Sequence, residues 1–297
     1  MKIAVASGKG GTGKTTISIA LAESAPCEVF LLDCDVEEPN SGLFLYKDTG
    51  EKKEVSVLIP KVDESLCTAC GVCSAFCQFN ALACVGKYAL VFPELCHSCG
   101  GCAIVCPVKA ITEVPSVIGE KTVYSVQRKD KSPLHFIEGR LSIGKAMSPP
   151  LIRSVKKEAE DTIQNDPSLK NSITIIDCPP GTSCPMGTAV SGCDFTVLVT
   201  EPTPFGLHDL KIAVETVRKM SIPFGIIINR STAGDDRVVR YCEKEGIKIL
   251  LQVPEDMRIA QGYSRGMSLI SSVPEYEKEF QSVLAYIASS VPAKEGL

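Results

Sequence analysis

Tryptophan is missing from this 297-residue chain, aromatic residues supply only 6% of it, and histidine occurs three times. The three histidines, His97, His135 and His208, lie far apart with no ligand partners at metal spacing, so a histidine-built metal site is not expected. There is no basic block and no clustering of aromatics with arginine, and the net charge is −4. That excludes non-specific nucleic-acid binding, which rests on neutralising phosphates. Also lacking is any apolar run near the roughly 20 residues needed to span a bilayer. The last helical stretch carries Glu275, Glu277 and Glu279 against Lys278, the wrong sign for a membrane-surface anchor. Met1-Lys2 runs directly into an apolar segment, so no leader is expected. These absences predict a soluble, cytoplasmic protein with no membrane insertion and no nucleic-acid partner.

What is present begins close behind the N-terminus. Ile3-Ala4-Val5-Ala6 reads as a buried strand, and Thr16 to Glu23 as a helix. Between them stands Gly8-Lys9-Gly10-Gly11-Thr12-Gly13-Lys14-Thr15, with Thr16 following. Strand, glycine loop and helix form the context a phosphate-binding loop requires. Glycines let the backbone curl its N–H groups toward the phosphates, and the helix adds the positive end of its dipole. Lys14 is placed to reach the β- and γ-phosphates, and the Thr15 hydroxyl to hold Mg²⁺.

Fifteen cysteines suggest a disulfide framework only until they are mapped, because nine of them fall between Cys67 and Cys106. In reduced, intracellular sequence such clustering means metal. Cys67, Cys70, Cys73 and Cys77 form one CxxCxxCxxxC run; Cys96, Cys99, Cys102 and Cys106 repeat it 29 positions later. The offset also maps Gly71 on Gly100, Ala81 on Ala110 and Leu82 on Ile111, the mark of an internal duplication sharing one small core. This is the spacing for two [4Fe–4S] clusters in which the fourth cysteine of each run ligates the other cluster. Cys67, Cys70, Cys73 and Cys106 are assigned to the first, and Cys96, Cys99, Cys102 and Cys77 to the second. Zinc is the rival, but zinc ribbons use two separated cysteine pairs rather than unbroken runs. The stretch from about 60 to 113 resembles a bacterial two-cluster ferredoxin domain. It departs from that pattern where Gln78 stands at the position of Pro107, which costs no ligand. Cys84 lies outside the pattern and reads as a small apolar residue.

The remaining chain alternates strands and helices. Val29 to Leu32 ends in Asp33-Cys34-Asp35, and Ser172 to Ile176 in Asp177, a carboxylate suited to the Mg²⁺ shell. Further strands are read at 195–200, 224–230 and 247–251, with helices at 150–161, 207–220, 236–245 and 273–289. Residues 43–60 read as a connector or short hairpin, and 121–143 as a hairpin or edge strands.

The form GKGGTGKTT, with Asp177-Cys178-Pro179-Pro180-Gly181-Thr182 downstream, resembles the deviant-loop ATPases of the MinD/ParA/Mrp and nitrogenase iron-protein group. That resemblance implies a doubly wound, mostly parallel α/β sheet of the MinD-like P-loop type over 1–59 and 114–297, with a small α+β ferredoxin domain inserted at 60–113. It implies that Lys9 crosses an ATP-dependent homodimer interface to the partner's nucleotide. Asp35 would orient the attacking water, with Asn40 nearby; the Gly181 N–H would face the γ-phosphate. Asn229 would bond the adenine, and the loop with Pro254 and Glu255 would flank the base. Cys184 sits where the nitrogenase iron protein has a cluster ligand, but no second cysteine suits a bridging cluster, so it is read as a small structural residue. The leading expectation is an ATPase, slow without its partner, whose nucleotide state gates electron transfer from the two clusters to an unidentified redox or client protein. The alternative is an ATP-dependent metal or Fe–S carrier of the Mrp type; a third, MinD-like spatial organisation, lacks a membrane anchor. Two oxidised clusters would bring the charge to roughly −8.

Overall fold

The computed structural model of this protein describes residues 1–45, 47, 49–128 and 131–291. In chain order the regular elements are β1 (Lys2–Ala6), α1 (Lys14–Ser24), β2 (Val29–Asp33), β3 (Glu51–Val62), α2 (Val72–Phe76), β4 (Leu82–Val85), β5 (Tyr88–Val91), α3 (Gly101–Val105), β6 (Ile111–Val126) and β7 (Leu134–Leu141). Then come α4 (Ser148–Asn165), β8 (Ile173–Asp177), α5 (Cys184–Val190), β9 (Phe195–Thr200), α6 (Pro204–Lys219), β10 (Phe224–Asn229), α7 (Arg237–Lys244), β11 (Ile249–Val253), α8 (Met257–Ser264), α9 (Leu269–Ser272) and α10 (Glu277–Ser290). Two compact units result: residues 1–52, 121–140 and 152–297 in one, 53–120 and 141–151 in the other.

Nine strands form a sheet in the order β11-β10-β9-β1-β8-β2-β7-β6-β3. From β11 to β7 every pairing is parallel. Parallel strands covered on both faces need continuous apolar sequence, and β2, β8 and β9 are buried at every residue. Ile3, Val5, Ile17, Leu31, Phe136, Ile175, Val197 and Phe280 belong to one continuous core. After β1 the chain winds to one side through α1 and β2; β9, β10 and β11 extend the other side. β1 therefore stands at the topological switch point, where a crevice opens beyond the carboxyl ends of the strands.

Two expectations are corrected. Residues 51–62, read as part of a connector, form the long strand β3. It opens on four consecutive charged residues, Glu51 to Glu54, exposed positions alternate with buried or half-buried ones from Lys53 to Ile59, and Pro60 masks the strand pattern. Residues 121–143, read as a hairpin or edge strands, hold the end of β6 and its hydrogen-bonded neighbour β7, and β7 is no edge: its Leu134 to Glu138 pair in parallel with Val29 to Asp33.

The second unit is wider than the 60–113 cysteine segment. It holds two five-residue helices, α2 and α3, the antiparallel pair β4–β5, and a small core that includes Ala81, Leu82, Ala89 and Ile111. No helix of the described residues is long and apolar enough to cross a membrane.

Candidate functional site

The loop from Gly8 to Thr15 joins β1 to α1 at the switch point. Gly11 and Gly13 have φ of 80° and 87°, left-handed values that side chains rarely adopt. A Cβ on Gly13 would stand 2.3 Å from the Asn229 side-chain nitrogen, and one on Gly8 would stand 2.2 Å from the Asp209 carbonyl oxygen. Close approach requires glycine at both, and at Gly13 the left-handed backbone requires it as well. The Ser7 hydroxyl donates to the Lys9 carbonyl at 2.6 Å. Among the described residues the buried Thr12 hydroxyl has no hydrogen-bond partner, a polar atom left for a ligand of this loop.

Beyond the loop, strand pairing sets Asp177 directly beside Asp33. Both are fully buried. Asp177 accepts from the Ser18 hydroxyl at 3.0 Å and the Ser41 hydroxyl at 3.4 Å. Burial raises the Asp177 pKa, while the Lys14 ammonium and the hydroxyls of Thr15, Ser18 and Ser41 pull it back. Asp33 accepts backbone N–H bonds from Asp35 (3.1 Å), Asn40 (3.0 Å) and Ser41 (2.9 Å), and so shapes the loop that follows β2. Burial, with the Asp177 charge alongside, pushes Asp33 well above the ordinary carboxylate range. Asp35 is raised to about 6, first by burial and then by Asp177, against the lowering effect of Lys14. Lys14 is itself buried. Asp33, Asp35 and Asp177 thus bring three carboxyl groups to the strand ends beside the buried Lys14.

Sequence reasoning placed Lys14, Thr15, Asp35 and Asp177 here and overlooked Asp33, Ser18 and Ser41. Two of these were detectable. Asp33 and Asp35 are two apart, and Ser18 lies one helical turn beyond Lys14.

The Lys9 ammonium is 3.9 Å from Glu201, which also pairs with Arg230 at 3.0 Å. The Asn229 amide, at the end of β10, donates to the Thr12 carbonyl at 2.9 Å. Gly181, with φ of 86°, donates its N–H to the Ser7 carbonyl at 3.1 Å. Pro254 and Glu255 follow β11, whose Val253 is paired with Asn229; the Glu255 N–H donates to the Thr232 hydroxyl.

The eight motif cysteines gather crosswise. Cys67, Cys70 and Cys73 line one cavity together with Cys106 from the second run. Cys96, Cys99 and Cys102 line another together with Cys77 from the first. Backbone N–H groups point at the sulfurs: Ala81 at Cys77 (3.3 Å), Ala110 at Cys106 (3.2 Å) and Ser98 at Cys96 (3.4 Å). Left-handed residues recur at the 29-residue offset, Ala69 with Ser98, Gly71 with Gly100, and Asn80 with Lys109. The halves also exchange bonds, Asp63 N–H to Ala110 O and Phe92 N–H to Ala81 O. Among the described residues no three His, Cys, Asp or Glu side chains converge as a single metal ion requires. A cubane attaches each thiolate to a different iron, so its cysteines stand apart. Cys84 is half-buried and lines the first cavity. Cys184 is exposed at the start of α5 rather than packed as a small core residue, whereas Cys178 and Cys193 are buried.

Comparison with known proteins bears on the whole chain. Residues 3–270 match the model of the CobQ/CobB/MinD/ParA nucleotide-binding domain. An uncharacterized protein of Methanocaldococcus jannaschii is 35% identical over 77% of this chain and 78% of its own. An iron–sulfur cluster carrier protein of Pyrococcus horikoshii is 24% identical over 91% of this chain and 79% of its own. Among solved structures, the cell division ATPase MinD of Pyrococcus furiosus superposes with a TM-score of 0.60 at 19% identity, covering 98% of this chain and 99% of that one. The fold is thus MinD-like, and the chain belongs to the CobQ/CobB/MinD/ParA nucleotide-binding family as a P-loop ATPase of the MinD/ParA type.

Proposed function

We propose that this protein is an ATP-driven iron–sulfur protein whose cysteine-rich segment, 60–113, is a ferredoxin domain holding two [4Fe–4S] clusters, and that it delivers clusters to a client protein. The crosswise grouping of the eight cysteines carries the reading. Two-residue gaps wrap three thiolates around one face of each cage, and the distant fourth closes it. Relatives named as iron–sulfur cluster carriers favour delivery over gated electron transfer.

In the nucleotide site ATP is the substrate and water attacks its γ-phosphate in line. Lys14 neutralises the developing charge, and Lys9 does so for the partner's nucleotide in a homodimer closed by ATP. Thr15 and Asp177 hold Mg²⁺, which supplies charge neutralisation on the phosphates when bound. Asp35 orients the water, with its loop anchored through Asp33. Gly181 frees its N–H from Ser7 to face the γ-phosphate, and Asn229, Pro254 and Glu255 border the base. Slow turnover without a client suits a switch.

A second reading keeps the clusters resident and uses ATP to gate their electron transfer. It is favoured by the lone exposed Cys184 on the ATPase unit, since Cys178 and Cys193 are buried and offer no exposed cysteine pair for cargo. The deciding experiment loads the protein anaerobically and mixes it with an apo-acceptor under ATP or ADP. Clusters that appear on the acceptor support delivery. Clusters that stay bound and cycle reversibly between oxidation states support electron transfer. Elemental analysis showing zinc and no iron would reject both.

A further inference from the structure

Two carboxylates at neighbouring strand ends, Asp33 and Asp177, already have parts in the nucleotide site, and strand register supplies a third. Glu138, in β7, is paired with Asp33 from one side as Asp177 is from the other. Its side chain is buried, a place glutamate takes only when paired. The partners are Lys47, whose ammonium is 3.7 Å from Oε2, and Arg140, which is 3.4 Å from Oε1. Lys47 stands just past the loop that follows β2 and carries Asp35. Its ammonium also lies over the stacked rings of Tyr124 and Phe136, 4.2 Å and 5.2 Å from their centroids, so two kinds of contact fix its position. The loop runs directly across this ion pair. A Cβ on Gly42 would stand 2.2 Å from the Lys47 nitrogen and 2.9 Å from Glu138 Oε2. Gly42 is not one of the left-handed glycines, so its side chain is missing to let the chain pass, not to let it turn.

One residue earlier, Ser41 donates its N–H to Asp33 at 2.9 Å and its hydroxyl to Asp177 at 3.4 Å. Three carboxylates in a row therefore hold the loop: Asp177 and Asp33 at Ser41, and Glu138, through Lys47, at and beyond Gly42. A loop tied only at its start leaves Asp35 free to pivot. Tied at both ends, to β2 and to its neighbour β7, the loop becomes a bridge of fixed shape. We infer that Glu138 and Lys47 form a latch that holds the Asp35 loop in the geometry for attack on the γ-phosphate, both acting as positioning residues in ATP hydrolysis. This rests on the reading above in which Asp35 orients the attacking water. Misplacing a reacting group by about an ångström slows the chemical step far more than it weakens binding.

The test compares steady-state Mg-ATP turnover of full-length variants. Lys47→Met and Glu138→Gln should each lower kcat about tenfold, with the KM for ATP and the calorimetric affinity for ADP unchanged within about two-fold. Removing both should cost no more than removing one, because either breaks the same latch. Lys47→Arg keeps the cation beside Glu138 and should retain kcat. Gly42→Ala removes no charge but must displace the Lys47 ammonium, so it should lower kcat in the native chain and add nothing to Lys47→Met. That readout stands even where Glu138→Gln fails to fold. Native kcat in Lys47→Met and Gly42→Ala, additive losses in the double variant, or losses of ATP and ADP affinity in place of kcat would overturn the inference. Asp35→Ala separates the two claims. Full turnover in that variant would remove the water-orienting reading and the latch with it, whereas lost turnover there beside native turnover in the latch variants would remove the latch alone.

Discussion

The two units solve the stability problem in opposite ways. The ATPase unit buries β2, β8 and β9 completely and surrounds them with Ile17, Phe136 and Phe280 in a continuous apolar core. The cysteine unit is small. Three of its buried residues are Cys73, Cys96 and Cys102, while Leu66, Phe76, Phe79 and Ile104 are exposed. A domain of that size buries too little apolar surface to stand easily on burial alone, and metal binding is a standard substitute. The lesson is that chemistry is separable here. One unit is held by its apolar core; the other, under the proposed function, is held by the clusters it binds.

The sharpest way to break that comparison is to disable one unit and measure the other. Lys14→Ala or Asp177→Ala should reduce Mg-ATP turnover by at least about 10²-fold, by removing groups that act on the transferring phosphoryl group. The iron content, measured by elemental analysis, should stay at about eight per chain. Full residual turnover would mean that hydrolysis lies elsewhere.

The converse experiment removes one cage. Cys106→Ala should lower iron to about four per chain while leaving the affinity for ATP, measured by calorimetry, unchanged. The crosswise grouping makes a finer claim. The cluster lost should be the one held by Cys67, Cys70 and Cys73, so adding Cys70→Ala to Cys106→Ala should cost no further cluster. A double variant without iron would restore an uncrossed pairing.

Gly13→Ala tests the glycine loop by geometry rather than charge. A residue held at φ of 87°, with its Cβ 2.3 Å from the Asn229 amide, must strain the loop by about 1–3 kcal/mol. ATP affinity should fall about tenfold or more, with iron content unchanged. Unaltered affinity would show that the loop tolerates the displacement.

The smallest expected effect concerns pH. Asp35 has a folded-state pKa raised to about 6 by burial and by Asp177. A raised carboxylate pKa means that the unfolded chain ionises first, so its cost to stability is absent below the unfolded value near 4. The cost grows as pH rises and is complete above about 6. Partial exposure and screening reduce it to about 1 kcal/mol. Asp35→Asn should therefore raise the melting temperature of nucleotide-free protein at pH 7.5 by about 2–4 °C and leave it unchanged at pH 4. A gain equal at both pH values would assign the effect to packing.

Much of this molecule was legible because its signals are local. A glycine loop after an apolar run and before a helix can be read from nine residues, and so can four cysteines at fixed gaps. Where signals were mixed, the reading faltered. β3 opens on the charged run Glu51 to Glu54 and contains Pro60, so it resembled a connector or short hairpin. Ser41 carries no motif, and Ser18 and Asp33 only a spacing; they matter because α1, the loop after β2 and strand pairing bring them to Asp177.

The residues by themselves determined which chemical groups are available: a loop able to cradle phosphates, carboxylates at strand ends, and two sets of four thiolates. Tertiary structure alone decided that Asp33 lies beside Asp177 and that Asn229 reaches the Thr12 carbonyl across 217 positions of chain. It also decided that Cys106 joins Cys67, Cys70 and Cys73, and that Cys77 joins Cys96, Cys99 and Cys102. Spacing along a chain fixes which side chains can share a turn or a strand face. Distance between turns depends on sheet register and on how the halves of the repeat fold together.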